Sequence, residues 1–200
     1  MVRWPADEAE ARDELRGEGL TLRLVKASLE APAGLQEFLS AARADEWLND
    51  SDLPFLNDSD LPFLDQGLSR FLQHLVDVAA GRNLPAAWVP ATTFWLLDDS
   101  ERAVAMSNLR HELTPFLLNH GGHIGYYVAR EQRGKGYGTH VLALTLEEAR
   151  KLGLQRVLLT VDSDNERSIR VIERNEAVME DEGIDETTGR LHRRYWIELR

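Results

Sequence analysis

The stretch Arg133-Gly134-Lys135-Gly136-Tyr137-Gly138-Thr139 decides how this chain folds and where it binds a ligand. It follows a short apolar run that ends near Ala129, and a helical pattern begins near Gly136. Three glycines in five positions allow a tight turn and expose successive backbone N–H groups. At the N-terminus of a helix, such groups and the helix dipole attract anions. The stretch therefore predicts a cradle for a diphosphate.

The local charge and the glycine spacing distinguish this loop from other phosphate-binding loops. Between Tyr126 and His140 there are three basic residues and one acidic residue, so the loop is positive within an acidic protein. The spacing does not fit a P-loop, and the third glycine comes one residue too early for the dinucleotide motif Gly-x-Gly-x-x-Gly. A kinase glycine loop would precede a large catalytic domain, whereas only about sixty residues follow here. On the loop alone, a glycine-rich turn with surface charges is the alternative.

The pattern on both sides of the loop predicts a layered fold. Alternating or continuous apolar runs indicate strands, and apolar residues at helical spacing indicate helices. Gly81 and Gly153 end two of the helices, Asp164 or Asn165 caps a short one, and 115–122 is expected to be a loop. The fold class is α/β (α+β): one domain over 1–200, with helices on both faces of a mixed sheet. Strands are expected at 21–26, 92–97, 103–109, 123–129, 157–161, 177–179 and 191–199, and helices at 32–42, 68–76 and 139–152.

The composition excludes several classes of function. The chain has 200 residues and a net charge of −11, so broad binding to nucleic acid or to anionic membranes is not expected. It has no cysteine, which excludes disulfides, Cys-ligated metals and a Cys nucleophile. No apolar run approaches the ~18–20 residues of a membrane span, and 1–19 does not resemble a secretory signal. A cytoplasmic location is expected.

Much of the acidity lies in a duplicated segment. Residues 45–65 contain seven Asp or Glu and no Lys or Arg. Within them, Asn49-Asp-Ser-Asp-Leu-Pro-Phe-Leu56 is repeated as 57–64, which is too short for a solenoid. Two interpretations stay open: a duplication in a tolerant surface loop, or an acidic lip over a site for a cationic substrate. A calcium loop is not favoured, because the turn glycine and the bidentate glutamate are missing.

Several motifs together resemble one known family. Arg133-x-x-Gly136-x-Gly138, after the strand Gly125-Tyr-Tyr-Val128, resembles the acyl-CoA-binding signature of the GNAT N-acetyltransferases. The order of elements agrees, as do Asn165-x-x-Ser168 and the closing strand Arg194–Glu198. The stretch from Asn108 to Tyr126 also resembles a bacterial subgroup of such proteins. The resemblance is strongest from about Thr92 to Val178.

This resemblance implies a chemistry and a set of residues. It implies direct transfer of an acetyl group from acetyl-CoA, as co-substrate and without a metal, to an amine acceptor. The glycine loop would bind the diphosphate of CoA. The strand 124–129 and the start of the short helix would flank the pantetheine arm. The residues implied in cofactor binding are Tyr127, Val128, Arg133, Gly134, Lys135, Gly136, Tyr137, Gly138, Thr139, Asn165 and Ser168.

Two departures from the family pattern motivate an alternative function. Ile172 stands where family members often carry a tyrosine that protonates the leaving thiolate, and Glu176-Ala177 replaces a Gly-Phe pair. A free thiol has a pKa of only ~8.5, so the lost acid weakens the assignment without excluding activity. The alternative is a catalytically weak GNAT-fold sensor or scaffold that binds acyl-CoA.

The general base and the partners are less determined. His123 is the first candidate because its strand would face the acyl group, and His111 and Glu112 are the others. His120 and His123 have the spacing of a zinc pair, but no further ligands are indicated nearby. The expected partners are a small-molecule or peptide amine, cationic if the acidic segment borders it, and a second copy of the chain in a homodimer.

Overall fold

The computed structural model describes residues 14–17, 20–45, 61–186 and 188–199. The helices are α1 (Leu35–Arg43), α2 (Leu61–Asp65), α3 (Leu68–Ala79), α4 (Pro115–Asn119), α5 (Tyr137–Lys151) and α6 (Glu166–Arg174). The strands are β1 (Glu14–Gly17), β2 (Leu20–Lys26), β3 (Ala91–Leu97), β4 (Ala103–Arg110), β5 (Ile124–Val128), β6 (Arg156–Asp162), β7 (Val178–Ile184) and β8 (Leu191–Glu198).

The strands form two antiparallel sheets that meet edge to edge. The first has the order β1-β2-β3-β4-β5, and the second has the order β6-β8-β7. The edge strands β5 and β6 are joined where His123 N donates to the Leu158 carbonyl at 2.7 Å. The α/β (α+β) class is thus confirmed, but the sheet that the sequence indicated as one mixed sheet is two antiparallel ladders joined at this contact.

Helices cover both faces of the larger sheet. Because side chains alternate along a strand, Phe94 and Leu96 pack towards α5, whereas Trp95 and Leu97 pack towards α1 and α3. All seven residues of β3 are buried, as expected for a strand that is covered on both faces. Burial of each large apolar side chain contributes about 1.5–3 kcal/mol. These two cores fix the strands that carry the site.

The structure contains three elements that the sequence did not predict, namely α2, α4 and β1. The expected loop 115–122 contains helix α4, whose N-cap Thr114 accepts a hydrogen bond from Leu117 N and whose first residue is Pro115. Thr114-Pro115 is therefore a helix-start signal that the sequence itself carries. Strand β1 was also not predicted. Asn165 proves to be the cap of α6, since its side chain accepts from Ser168 N at 3.1 Å.

The end of the duplicated segment is packed against the fold. Leu61–Asp65 forms α2, and Phe63 stacks on His74 of α3 with ring centroids 3.9 Å apart. Asp65 accepts from Arg43 of α1 at 2.5 Å. Residues 49–60, which carry most of the proposed acidic lip, lie outside the described residues.

Candidate active site

The site begins at the contact between the two sheets. His123 and Leu158 exchange two hydrogen bonds, because Leu158 N also donates to Nδ1 of His123 at 2.9 Å. The backbones approach so closely that a Cβ at Gly122 would collide with the Leu158 carbonyl oxygen, and Gly122 has a φ of 59°. Glycine is required there for both reasons. Beyond this contact β5 and β6 separate.

The separation leaves a cavity of about 870 Å³. Its two walls are β5 from Ile124 to Val128 and β6 from Leu159 to Asp162, and the glycine loop and α6 also line it. Ligand cavities in proteins commonly measure ~300–1,000 Å³. The cavity is therefore a groove between strand edges, long enough to reach from the glycine loop to the His123–Leu158 contact.

The glycine loop has the backbone that the sequence predicts. Gly134 and Gly136 have φ values of 80° and 84°, in the left-handed region that favours glycine. Gly136 is the N-cap of α5, so the free N–H groups of the first helical turn begin at this end of the cavity. Gly138 lets α5 approach α6, since a Cβ there would lie 3.1 Å from Val171 Cγ2.

The side chains of the loop are used differently from the expectation. The guanidinium of Arg133 pairs with the buried carboxylate of Asp45, and its Nε donates to the Val128 carbonyl at 3.1 Å. Tyr127 donates to the same carboxylate at 3.0 Å. Lys135 donates to Gln132 at 2.7 Å. Arg133 lines the cavity, but its charge is paired with Asp45, so the loop offers the cavity mainly its backbone N–H groups.

Helix α6 brings its first turn to the opposite wall. Asn165, Ser168 and Ile172 all line the cavity. The hydroxyl of Tyr126, from β5, donates to the Ser168 carbonyl at 3.3 Å. Burial raises the pKa of Tyr126 well above its usual value, so this phenol stays protonated at neutral pH. A hydroxyl donor is thus present on the strand that faces α6, although position 172 of α6 is an apolar isoleucine.

His123 is buried and bonded to the backbone of the second sheet. The side chain is only 7% exposed, and its Nδ1 is occupied by Leu158 N. Burial, with smaller contributions from Arg110 and Arg156, lowers the pKa of His123 to about 4. Such a group is a weak proton acceptor at neutral pH. These contacts favour a role in joining the sheets over the role of general base that the sequence suggested.

The two other predicted bases follow the end of β4, and His111 contacts β3 rather than the groove walls. His111 Nε2 is 2.8 Å from Thr92 Oγ1, and burial, helped by Lys26, lowers the pKa of His111. Glu112 follows it in the chain, where β4 has ended at Arg110. Neither residue is among those that line the cavity in the described part of the chain.

Sequence reasoning missed a group of titratable side chains that line the cavity near the end of β6. His120 follows α4, Asp185 follows β7, and His192 is on β8; all three line the cavity. Nδ1 of His120 lies 2.9 Å from Oδ2 of Asp185, within ion-pair distance but outside aligned hydrogen-bond geometry. No local motif joins these residues, because they come from separate segments.

Two other kinds of feature are absent from the described ranges. No group of three or more His, Asp or Glu side chains there could hold a metal ion. Nor is any helix among those residues long and apolar enough to cross a membrane.

A family model and several solved structures are similar to the chain. Residues 79–176 match the model described as the acetyltransferase (GNAT) family, and the matched region contains the groove strands, the glycine loop and α6. The chain belongs to the GNAT acetyltransferase family. No curated protein matches it by sequence.

The similar structures share the fold over most of the chain. The ribosomal-protein-S5-alanine acetyltransferase of Vibrio fischeri is 20% identical, with a TM-score of 0.62 over 92% of this chain and 96% of that one. The Salmonella typhimurium protein YncA with its cofactor acetyl-CoA is 13% identical, with a TM-score of 0.59 over 90% and 94%. A spermidine N-acetyltransferase chimera of Vibrio cholerae and hSSAT is 19% identical, with a TM-score of 0.57 over 90% and 96%.

Proposed function

We propose that this protein is an N-acetyltransferase that moves the acetyl group of acetyl-CoA directly to an amine. The observation that carries the proposal is the groove between β5 and β6, which starts at the left-handed glycines Gly134 and Gly136 and ends at the His123–Leu158 contact. Family membership supports acyl transfer, and structural neighbours are named for acetylation of spermidine and of a ribosomal protein. We also propose a cytoplasmic location and a homodimeric assembly.

The residues of the groove fit acetyl-CoA from one end to the other. The N–H groups of 134–138 and the N-terminus of α5 would hold the diphosphate, with Lys135 adding charge at the surface. The edges of Tyr127 and Val128 would face the pantetheine arm, as would Asn165 and Ser168 across the groove. Acetyl-CoA supplies an activated thioester, and the protein orients it beside the acceptor. The absence of cysteine from the chain agrees with direct transfer.

The leaving sulfur gains negative charge, and Tyr126 is placed to donate a hydrogen bond to it. Its hydroxyl lies on the groove wall, held by Ser168, and remains protonated because burial raises its pKa. This position faces α6, where Ile172 offers no hydroxyl. Tyr126→Phe should therefore lower kcat while the affinity for acetyl-CoA stays unchanged.

The alternative is a protein that binds acyl-CoA as a sensor or scaffold, and Ile172 is the observation that favours it. The two functions separate in one experiment: acetyl-CoA is incubated with a panel of amines, and free thiol and acetylated product are measured. We expect turnover on at least one amine, with equal amounts of thiol and product. Tight binding of acetyl-CoA with no turnover on any amine would instead support the sensor.

A further inference from the structure

The groove has a direction, which identifies the residues that meet the acceptor. If the diphosphate lies at the glycine loop, which follows β5, the pantetheine arm extends back along β5 from Val128 towards Ile124. The His123–Leu158 contact closes the groove at that end. The thioester must therefore lie near this closed end. His120 borders this part of the groove, because the next residue, Gly121, donates its N–H to Thr160 Oγ1 of β6 at 2.9 Å. Asp185 and His192 line the cavity beside His120, and His192 lies opposite Asp162 in the β6–β8 ladder.

His120 is oriented by Asp185, and Asp185 is itself fixed by the backbone. Oδ1 of Asp185 accepts from Thr188 N at 3.1 Å, and Oδ2 faces His120 Nδ1 at 2.9 Å. The main chain of Asp185 is held across the turn by Gly189 N, which donates to its carbonyl at 2.7 Å. A histidine whose Nδ1 faces a carboxylate presents Nε2 as its proton acceptor. The side chains of His120 and Asp185 are 17% and 15% exposed, so the pair is shielded but reachable.

His192 is a second sign that this end of the cavity is built for a polar ligand. It is only 9% exposed, and in the described part of the chain its Nδ1 has no hydrogen-bond partner. Its ring centroid is 6.3 Å from that of His120. A buried polar atom without a partner is costly in a folded protein, and such atoms are found at functional sites. A bound acceptor would supply the missing partner.

The charged groups around His120 come from several elements. Asp162 of β6 pairs with Arg190 at 3.2 Å, and both line the cavity. Arg110 of β4 donates to the carbonyls of Gly121 and Gly122, next to His120. Arg194 of β8 donates to Asn119. Arg190 and Arg194 are each paired with carboxylates, and Asp185 is the carboxylate within ion-pair distance of the His120 ring.

The structure assigns His120 as the catalytic base of the proposed reaction and Asp185 as the residue that positions it. One N–H proton of the ammonium acceptor passes to Nε2 of His120 and then to solvent. The amine lone pair attacks the thioester carbonyl carbon, so a C–N bond forms as the C–S bond breaks. The sulfur keeps the bonding electrons and takes the second proton lost from nitrogen. The products are the amide, free CoA thiol and one proton.

This assignment rests on the proposed function, and its test compares pH profiles. We would measure kcat and kcat/KM from pH 5.5 to 9 for His120→Gln, Asp185→Asn and the wild type, with calorimetry of acetyl-CoA binding on each. The measurements use two amines of different basicity, because an acid limb of the pH profile that belongs to the substrate moves with the basicity of the amine, whereas one that belongs to the enzyme does not. His74→Gln on α3, outside the cavity, is the matched control.

We expect His120→Gln to lower kcat about 100-fold and to remove the acid limb that belongs to the enzyme, with acetyl-CoA affinity unchanged. Asp185→Asn should lower kcat about tenfold with the affinity for acetyl-CoA unchanged, because the His120 ring loses the carboxylate that orients it. His74→Gln should match the wild type.

A His120→Gln enzyme that keeps the wild-type pH profile, or an Asp185→Asn enzyme that is less stable but keeps the wild-type kcat, would overturn the assignment and leave the proposed function intact. Each variant is a test on its own, so if one variant misfolds, the other still tests the assignment. A wild-type protein that binds acetyl-CoA but acetylates no amine would overturn both the assignment and the proposed function.

Discussion

The two ends of the groove are built by different means. At the glycine-loop end, a run of neighbouring residues presents backbone N–H groups, and the charge of Arg133 is paired with Asp45. Where the acceptor is proposed to bind, His120, Asp185 and His192 come from three segments and meet only in the fold. Backbone sites can be recognised from local sequence because their geometry is local. Side-chain sites depend on topology, and a short motif does not reveal them.

The first prediction concerns the backbone end and has the largest expected effect. Gly136→Asp places a carboxylate at the N-cap of α5, where the diphosphate is proposed to lie. We expect the Kd of acetyl-CoA to rise about 100-fold, which corresponds to roughly 2.7 kcal/mol. Gly136→Asn has the same shape without the charge and tolerates positive φ, so it should weaken binding less than tenfold. Calorimetry on both variants, with folding checked by circular dichroism, isolates the charge. Equal affinities in the two variants would place the diphosphate elsewhere.

The second prediction is that the stability of the glycine-loop end of the groove depends on one buried carboxylate, that of Asp45. Asp45→Asn leaves the guanidinium of Arg133 without its ionic partner in a largely buried position. We expect a loss of about 2 kcal/mol in the free energy of unfolding, measured by chemical denaturation, since breaking a buried pair is costly. Asp65→Asn is the matched control, because its partner Arg43 is half exposed and such a pair contributes at most about 1 kcal/mol. Equal losses in the two variants would show that Asp45 has no special role.

The third prediction tests whether His123 is structural. Its pKa is about 4 in the folded protein, below its usual value of 6.5, so the unfolded chain binds more protons between these pH values. The stabilisation is therefore complete above pH 6.5 and is lost as the pH falls towards 4. From pH 7 to 5.5 this group should cost about 1 kcal/mol of unfolding free energy. His123→Asn keeps an acceptor for Leu158 N and should remove that part of the pH dependence. An unchanged pH dependence in denaturation experiments would mean that His123 titrates normally.

The fourth prediction has the smallest expected effect and concerns the duplicated segment. Because the two copies are identical, deletion of 57–64 leaves the same Leu-Pro-Phe-Leu sequence directly before Asp65. The packing of Phe63 on His74 can then be rebuilt by Phe55. We expect the melting temperature and the turnover of neutral amines to stay within experimental error. A selective loss of turnover on cationic amines would support the acidic lip instead.

The sequence predicted the parts of the fold that are governed by local rules. The apolar runs located β3, β4 and β6, and the glycine spacing located the N-terminus of α5 with left-handed residues at Gly134 and Gly136. The helix α4 was missed although Thr114-Pro115 signals a helix start, because the segment is short and is followed by two glycines. The role of Arg133 could not be predicted, since its partner Asp45 lies 88 residues away in the chain. For the same reason the pairing of His120 with Asp185 could not be predicted, because Asp185 lies in the distant turn between β7 and β8.

A crystal structure with acetyl-CoA bound would test the central claim most directly, because it fixes both the position and the direction of the ligand. We expect the diphosphate to accept hydrogen bonds from the N–H groups of 134–138 and the acetyl group to lie between β5 and β6, close to His120. An acetyl-CoA molecule bound outside this groove, or bound in it with the acetyl group at the glycine loop, would contradict the proposed site and the reaction built on it.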